Sequence, residues 1–255
     1  MFRNFNFSKI GKVLLGITAI CTIVFLIGFS SDIFSSNRCK EIVIKINNAD
    51  EYFFVNKQDI KTLATKHGSD QLIGKLYDKI DLREIEQRVL RNKQIKSCQA
   101  FRGVEGNLNI DIEQYIPVAR ILMEDGREDA YVATDGGVFP LSERYSARIL
   151  LLSGEYFRNL PNLKSKPQEK ILHFLNLINE DNFLKAQFTQ LDVAKNGDVS
   201  IVPLVGKHII EFGDPTNIEN RLNRLKIFYN QILPVQGWDR FSNVSVKYDG
   251  QIVCK

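Results

Sequence analysis

The chain has 255 residues, of which 34 are Lys or Arg and 30 are Asp or Glu. Hydrophobic residues make up 44% and charged residues 25%, an ordinary globular composition that excludes extensive disorder and collagen-like repeats. The first 31 residues hold three basic residues and no acidic one, so the remainder is nearly neutral, with 31 basic against 30 acidic residues. A nucleic-acid-binding protein would carry its basic excess on the folded part, and this charge distribution argues against one.

An uncharged apolar stretch, residues 13–31, begins directly after Lys12. As a helix it would be roughly 28 Å long, about the thickness of the hydrocarbon core of a bilayer. It is longer than the apolar segment of a cleaved signal peptide, so the sequence predicts a retained transmembrane helix. Arg3, Lys9 and Lys12 precede it, and the positive-inside rule therefore places residues 1–12 in the cytoplasm and the bulk of the chain outside.

The cysteines give little information about redox chemistry. Cys21 lies within the apolar stretch, which leaves Cys39, Cys98 and Cys254 on the exported side, with no Cys-x-x-Cys spacing typical of a metal or redox site. One disulfide with a free thiol and three reduced thiols are both compatible with the sequence. The pair to test is Cys39 with Cys98.

A compact domain is predicted over residues 40–116, after a linker of residues 32–39. Residues 42–46 alternate apolar and polar side chains, which predicts a strand. A helix over about 57–67 is predicted next, with Asn56 as its N-cap.

A second helix and a hairpin complete this domain. Asp81 is predicted to cap the helix, with Glu84 three residues later as in a capping box, and Asn92 is predicted to end it. Short alternating runs at 95–104 and 108–113, joined by a three-residue turn with glycine, predict two strands. The predicted order is strand, helix, helix, strand, strand.

A domain joint is predicted at Pro117, because proline cannot donate to a strand ladder and disfavours helix in the residue before it. Residues 117–255 predict a mostly antiparallel β domain with flanking helices, and strands 118–123, 130–134 and 148–152 are interpreted as a meander. The remaining predicted elements are a helix opened by Pro167, strands 184–193, 199–202 and 207–212, a helix from Asp214 to Ile232, and strands 244–248 and 251–254.

No residue pattern predicts catalysis. The three histidines lack the spacing of a helical zinc site, no serine lies in a G-x-S-x-G elbow, and no phosphate-binding glycine motif is complete. Asp125, Asp129 and Asp135 are close in sequence, but they are interpreted as turn formers. We therefore predict no catalytic residue, no cofactor, no metal and no small-molecule substrate.

Binding is the function that remains for such a module. The strand ending at Lys255 is the candidate edge, because no later element of the sequence covers it, and an exposed edge accepts a partner strand through main-chain hydrogen bonds. An edge that is buried in its own sheet is the alternative.

The order of elements and several motifs resemble the FtsQ/DivIB family of bacterial cell-division proteins. The similar motifs are Ile80-Asp81-Leu82 with Glu86 and Leu90, Glu113 to Ala119 around the joint proline, Asp135 to Val138, Asn196-Gly197, and Lys247 to Gly250. Many members carry Gln-Arg before the joint proline where this chain has Gln114-Tyr115. The resemblance extends over essentially the whole chain.

The resemblance implies an α+β protein with one N-terminal transmembrane helix, a POTRA domain at 40–116 and a β domain at 117–255. It implies a non-enzymatic divisome scaffold in the cell inner membrane, enriched at the septum, that helps recruit septal wall synthesis. The implied partners are single-span division proteins similar to FtsB/DivIC and FtsL, with the POTRA domain as a second docking surface.

The implied binding mechanism is strand addition at the C-terminal edge. Tyr248 would pack on the incoming chain, and Lys247 would meet its acidic residues. The expected partner-binding residues are Val244, Val246, Lys247, Tyr248, Gln251 and Val253.

Two other functions compete with this one. A POTRA-containing transport or assembly factor would normally continue into an outer-membrane barrel or repeat its POTRA units. An anchored envelope enzyme would require Asp or Ser side chains from distant strands to converge in a deep pocket.

Overall fold

The computed structural model describes residues 17–25, 38–123, 128–158 and 162–255. Residues 17–25 are helical, and the rest of the predicted transmembrane stretch lies outside the described residues, as do the predicted cytoplasmic tail and most of the linker. Within the described ranges, no helix has the length and apolar character needed to cross a membrane.

The chain divides into two compact units that interleave in sequence. The first comprises the described part of Met1–Asn47, together with Asn56–Arg91 and Ser97–Ile112. The second comprises Asn48–Val55, Asn92–Lys96 and Glu113–Lys255.

A three-stranded sheet and two helices form in the predicted order strand, helix, helix, strand, strand. Their bounds are β1 Ile42–Asn47, α1 Lys57–Ala64, α2 Leu82–Val89, β2 Ile95–Arg102 and β3 Leu108–Gln114, with a 3₁₀ turn at Tyr77–Lys79 before α2. In space the strands are ordered β1-β3-β2. The β2–β3 turn contains Gly106 with φ of +81°, a left-handed conformation that favours glycine.

Side-chain caps begin both helices where the sequence predicts them. The Asp59 N–H donates to the Asn56 side chain at 2.8 Å, and the Asn56 N–H donates back to the Asp59 carboxylate at 3.0 Å, a reciprocal capping box. At α2 the Glu84 N–H donates to Asp81, but the Glu84 carboxylate does not complete the predicted box. It pairs instead with Lys66 at 2.8 Å and Arg88 at 2.9 Å.

The second unit contains a nine-stranded sheet. Its strands are β4 Pro117–Ile121, β5 Ala130–Ala133, β6 Val138–Pro140, β7 Leu150–Ser153, β8 Phe188–Val193, β9 Val199–Pro203, β10 Ile209–Gly213, β11 Asn243–Ser245 and β12 Val253–Cys254. Their order in space is β12-β11-β10-β9-β8-β7-β4-β5-β6. The sheet is mixed, because β4–β7, β7–β8 and β10–β11 pair in parallel while the other neighbours are antiparallel.

The predicted meander of the first strands is therefore wrong. Strand β7 returns beside β4 in parallel, which leaves the β5–β6 hairpin at the outer end of the sheet. Leu150 and Leu152 of β7 are buried, and a short apolar strand of this kind is typical of a position between two parallel neighbours.

The helices of the second unit include one that the sequence does not predict. They are α3 Lys166–Glu180, α4 Asn182–Gln187, α5 Ile218–Ile227 and α6 Leu233–Gln236, with a π-helical segment Phe228–Ile232 joining the last two and a 3₁₀ turn at Glu155–Phe157. The predicted strand 184–193 begins as helix, because Asp181 accepts hydrogen bonds from the N–H groups of Phe183 and Leu184 and so caps α4.

The main core of the second unit lies between the sheet and its helices. The predicted apolar face of α3 is buried there through Ile171, Phe174, Leu175 and Ile178. The Phe174 ring stacks on Phe212 of β10 at a centroid distance of 4.4 Å. This packing sets the position of β10, on which the last two strands are built.

A second, aromatic core of the same unit forms around Phe54. The Phe54 ring lies 5.6 Å from that of Tyr131, 5.8 Å from that of Phe139 and 5.2 Å from that of Tyr145, in edge-on contacts. The fully buried Gln114 lies beside this segment: its amide oxygen accepts from the Val55 N–H at 3.2 Å, and its amide nitrogen donates to the Tyr52 carbonyl at 3.1 Å.

We expect Gln114→Leu to lower the free energy of unfolding by about 2–4 kcal/mol. The leucine conserves bulk but removes the partner of the buried Val55 N–H and of the part-buried Tyr52 carbonyl, and an unsatisfied buried group costs roughly 1–3 kcal/mol. Urea denaturation of the purified chain measures the change. Gln94→Leu is the matched control, since Gln94 is half-buried and its side chain donates one longer hydrogen bond, to the Leu141 carbonyl at 3.3 Å. Equal changes in the free energy of unfolding in the two variants would contradict the prediction.

Candidate functional site

The nine-stranded sheet ends in the β11–β12 hairpin. β11 pairs in parallel with β10 through Ile210 and Val244, and antiparallel with β12 through Val244 and Cys254. Among the strands of the described residues, β12 is therefore the outermost at this end of the sheet. The predicted strands 244–248 and 251–254 are both shorter than expected, and β11 has a neighbour on each side.

The backbone N–H and C=O groups of β12 that do not bond to β11 are those of Cys254. The Lys255 N–H donates to the Asn243 carbonyl at 2.9 Å, and the Asn243 N–H donates to the Lys255 carbonyl at 3.2 Å, which makes these two a hydrogen-bonded pair. Because such pairs alternate along an antiparallel ladder, the N–H and C=O of Cys254 point away from β11. A further strand would find its donor and acceptor there.

Two of the expected partner-binding residues have buried side chains. Val244 and Val246 are 0% exposed and belong to the main core. Their main chain is directed toward β10, where the Val246 N–H donates to the Glu211 carbonyl at 3.1 Å. These residues support the hairpin, and their side chains are not on its surface.

The other four expected residues lie at or near the surface. Lys247, Tyr248 and Gln251 are exposed in the loop between β11 and β12, and Val253 is half-buried opposite Ser245. The Lys247 Nζ lies 5.4 Å from the centroid of the Tyr248 ring, a cation–π contact.

Arg224 of α5 holds this loop. Its guanidinium donates to three carbonyls, those of Tyr248 at 2.5 Å, Val246 at 2.9 Å and Gln251 at 3.4 Å. These bonds hold the chain between Val246 and Gln251 as a loop against α5. Charge-assisted bonds of this kind are stronger than neutral ones.

Sequence reasoning misses both Arg224 and Cys254. Arg224 is 22 to 27 residues away from its partners, in a helix whose pattern gives no sign of them. Cys254 matters through its main chain, whose direction depends on the register with Asn243.

The four cysteines are free, so the Cys39–Cys98 pair is not bridged in the structure. Burial, with the charges of Glu86 and Asp111, raises the pKa of the Cys98 thiol to about 12. Burial also raises the pKa of Cys254. Both thiols are therefore protonated at neutral pH and unreactive as nucleophiles.

The polar residues considered for catalysis make structural contacts. Asp129 pairs with Arg120, and Asp135 accepts from the Gly137 N–H and pairs with Lys164 at 3.0 Å, while Asp125 lies outside the described residues. In residues 17–25, 38–123, 128–158 and 162–255, no group of three or more His, Cys, Asp or Glu is placed to hold a metal ion.

The three histidines occupy separate environments. His67 lies in the turn after α1 with φ of +56°, and His173 is exposed on α3, 3.4 Å from Glu219. His208 is fully buried at the start of β10, where its Nε2 lies 3.1 Å from the Tyr229 hydroxyl.

The buried His208 makes the stability of the second unit depend on pH. Burial lowers its pKa, so the unfolded chain, with a histidine pKa near 6.5, binds the proton more readily. The contribution of the neutral His208 to the free energy of unfolding is fully present above about pH 6.5 and is lost as the pH falls below that value. We expect His208→Phe to flatten the fall in the thermal midpoint between about pH 7 and about pH 5.

The exposed His173 provides the matched control for this prediction. His173→Phe makes the same chemical change on the surface and is expected to leave the pH slope as it is. Parallel slopes for wild type and His208→Phe would show that another group causes the pH dependence.

Comparison with known proteins gives two family matches. A model described as FtsQ/DivIB, C-terminal related, matches residues 116–255, which contain the whole β11–β12 hairpin and Arg224. A model described as a POTRA-like domain matches residues 37–113. No curated protein matches the chain.

Proposed function

Because this chain belongs to the FtsQ/DivIB family, a family of cell-division scaffold domains, we propose that it binds its division partners by strand addition at β12. The proposed partners are single-span proteins similar to FtsB/DivIC and FtsL. The observation that carries this proposal is the outward-facing main chain of Cys254 on a two-residue terminal strand.

The surrounding surface supports the same proposal. Lys247 and Tyr248 are exposed beside β12, where a cation and an aromatic ring would meet the side chains of an incoming strand. Main-chain bonds to Cys254 would provide affinity, and these neighbouring side chains would provide specificity. Arg224 would keep the loop that carries them in one conformation.

Anchoring and recruitment complete the proposed role. Residues 13–31 would span the inner membrane with the N-terminus in the cytoplasm, and the protein would concentrate at the septum and help recruit septal wall synthesis. The POTRA domain, proposed as 40–116, would be a second docking surface, and 117–255 would form the partner-binding domain.

Proline substitution tests the main-chain mechanism. We expect Cys254→Pro to reduce co-purification of the FtsB/DivIC-like partner from membranes by about tenfold, because proline removes the outward N–H while the Lys255 and Asn243 bonds remain. Cys254→Ala keeps the N–H and is expected to bind as wild type. Undiminished capture by Cys254→Pro would contradict strand addition, and equal loss in both variants would assign binding to the thiol side chain.

A further inference from the structure

A cavity of about 650 Å³ opens in the second unit where β7 and β8 separate. The two strands pair in parallel only from Leu151 and Gln190 onward. Residues that precede that pairing line the opening, together with the end of α3 and Leu204 after β9. They are Ala147, Arg148, Ile149, Lys185, Ala186, Phe188 and Thr189. The cavity is unrelated to the β12 edge.

The floor of this cavity is apolar. Leu150, Ile178 and Phe188 line it and are buried in the main core. Leu204 lines its mouth and is 63% exposed, so it extends the apolar surface of the floor to the outside. An apolar side chain that entered the cavity would be removed from water together with the apolar groups of the floor, which is favourable.

Two unpaired cations stand at the mouth. Arg148 and Lys185 line the cavity with exposed side chains, and neither forms an ion pair among the residues that the structure describes. Among the described residues, none with a carboxylate lines the cavity. Lys164, an exposed lysine elsewhere in the unit, pairs with Asp135 at 3.0 Å.

The remaining polar side chains of the lining already have partners. The Asn179 amide donates to the carbonyls of Val118 at 2.9 Å and Leu175 at 3.0 Å, and the Thr189 hydroxyl donates to the Val202 carbonyl at 3.1 Å. Among the lining side chains, the two cations are therefore the groups available to a ligand. The chemistry that they select is a negative charge next to an apolar group.

We propose that this cavity docks an acidic segment of a partner protein, with a leucine or phenylalanine side chain on the apolar floor and carboxylates on Arg148 and Lys185. The open mouth favours a polypeptide over a small molecule, because small-molecule sites enclose most of the ligand surface. Here Arg148, Lys185 and Leu204 are all exposed, so a chain can lie across the mouth and insert only its side chains.

Charge exchange tests the proposal on the full chain in lipid nanodiscs. The probe is a short fluorescein-labelled peptide rich in Leu, Phe and Glu, and its control has every Glu replaced by Lys; binding is measured by fluorescence anisotropy. The Glu peptide is expected to bind the wild-type chain. The double variant Arg148→Glu, Lys185→Glu is expected to bind the Glu peptide at least about tenfold more weakly and to bind the Lys peptide instead. Both substitutions are at exposed positions, so the fold is retained.

Three further measurements separate the outcomes. Leu204→Ser is expected to weaken binding of the Glu peptide by about tenfold, because an apolar contact is lost. Lys195→Glu changes an exposed lysine that does not line the cavity and is expected to leave this binding unchanged. Equal binding of both peptides, or wild-type binding by the double variant, would overturn the proposal. Charge-dependent binding of laurate without binding of the Glu peptide would also overturn it and assign the cavity to a small amphiphile.

Discussion

Replacing Arg224 with methionine is expected to abolish capture of the FtsB/DivIC-like partner while leaving the chain folded. Methionine keeps the aliphatic packing of α5 but removes the donors to the carbonyls of Val246, Tyr248 and Gln251. Without them the loop before β12 samples many conformations, and a partner must order it on binding. Losing two or three net hydrogen bonds of about 1 kcal/mol or more each corresponds to roughly a hundredfold weaker binding.

Hydrogen exchange identifies the cause of that loss. In Arg224→Met we expect faster exchange of the Lys255 and Ser242 amides, whose bonds close the hairpin, and unchanged exchange in β8 and β9. Arg224→Lys, which offers one ammonium in place of a fork of donors, is expected to be intermediate. Arg240→Met is the matched control, because it removes an exposed arginine that does not bond the loop between β11 and β12. If capture fell as much in Arg240→Met as in Arg224→Met, the role given to Arg224 would be contradicted.

Replacing Phe54 with alanine is expected to lower the free energy of unfolding by about 3–5 kcal/mol. Phe54 is 4% exposed and contacts the rings of Tyr131, Phe139 and Tyr145, so its removal leaves a cavity between rings that cannot close in from all sides. Urea denaturation, followed by the near-ultraviolet signal of the tyrosines, measures the change.

The neighbouring Phe53 gives a closely matched control for this change. It is the same residue type, one position earlier, but is 54% exposed and contacts only the Tyr145 ring among the described aromatic pairs. Phe53→Ala is expected to cost less than about 1 kcal/mol. Similar losses in the two variants would mean that the aromatic cluster does not stabilise the second unit.

Local sequence signals predict the elements of this fold well where the chemistry is local. The Asn56 cap, the glycine turn between β2 and β3, and the apolar face of α3 each depend on residues within a few positions of one another. The error at 184–187 is also local, because the Asp181 cap makes this segment helical.

Strand pairing could not be predicted in the same way. An apolar run such as Leu150–Ser153 indicates a buried strand but does not indicate whether its neighbour is β6 or β4, because that choice depends on how distant segments pack. The parallel pairing of β7 with β4 and of β11 with β10 is therefore visible only in the structure.

The surroundings of the candidate site residues follow from the sequence only in part, for the same reason. The sequence places Lys247, Tyr248 and Gln251 in a terminal hairpin, but the burial of Val244 and Val246 follows from the pairing of β11 with strands on both sides. The bonds from Arg224 to the loop are tertiary contacts, and the outward direction of the Cys254 main chain depends on strand register. A single sequence contains neither.

In-cell photo-crosslinking from position 248 tests the central proposal most directly. A photoreactive residue would replace the exposed Tyr248, and another would replace Glu169, exposed on α3, as the control. Strand addition at β12 predicts adducts with a small single-span coiled-coil division protein from position 248 and none from position 169, with the adduct lost in Cys254→Pro. An adduct that persists in Cys254→Pro, or adducts only with unrelated exported polypeptides, would contradict docking of a division partner at this edge.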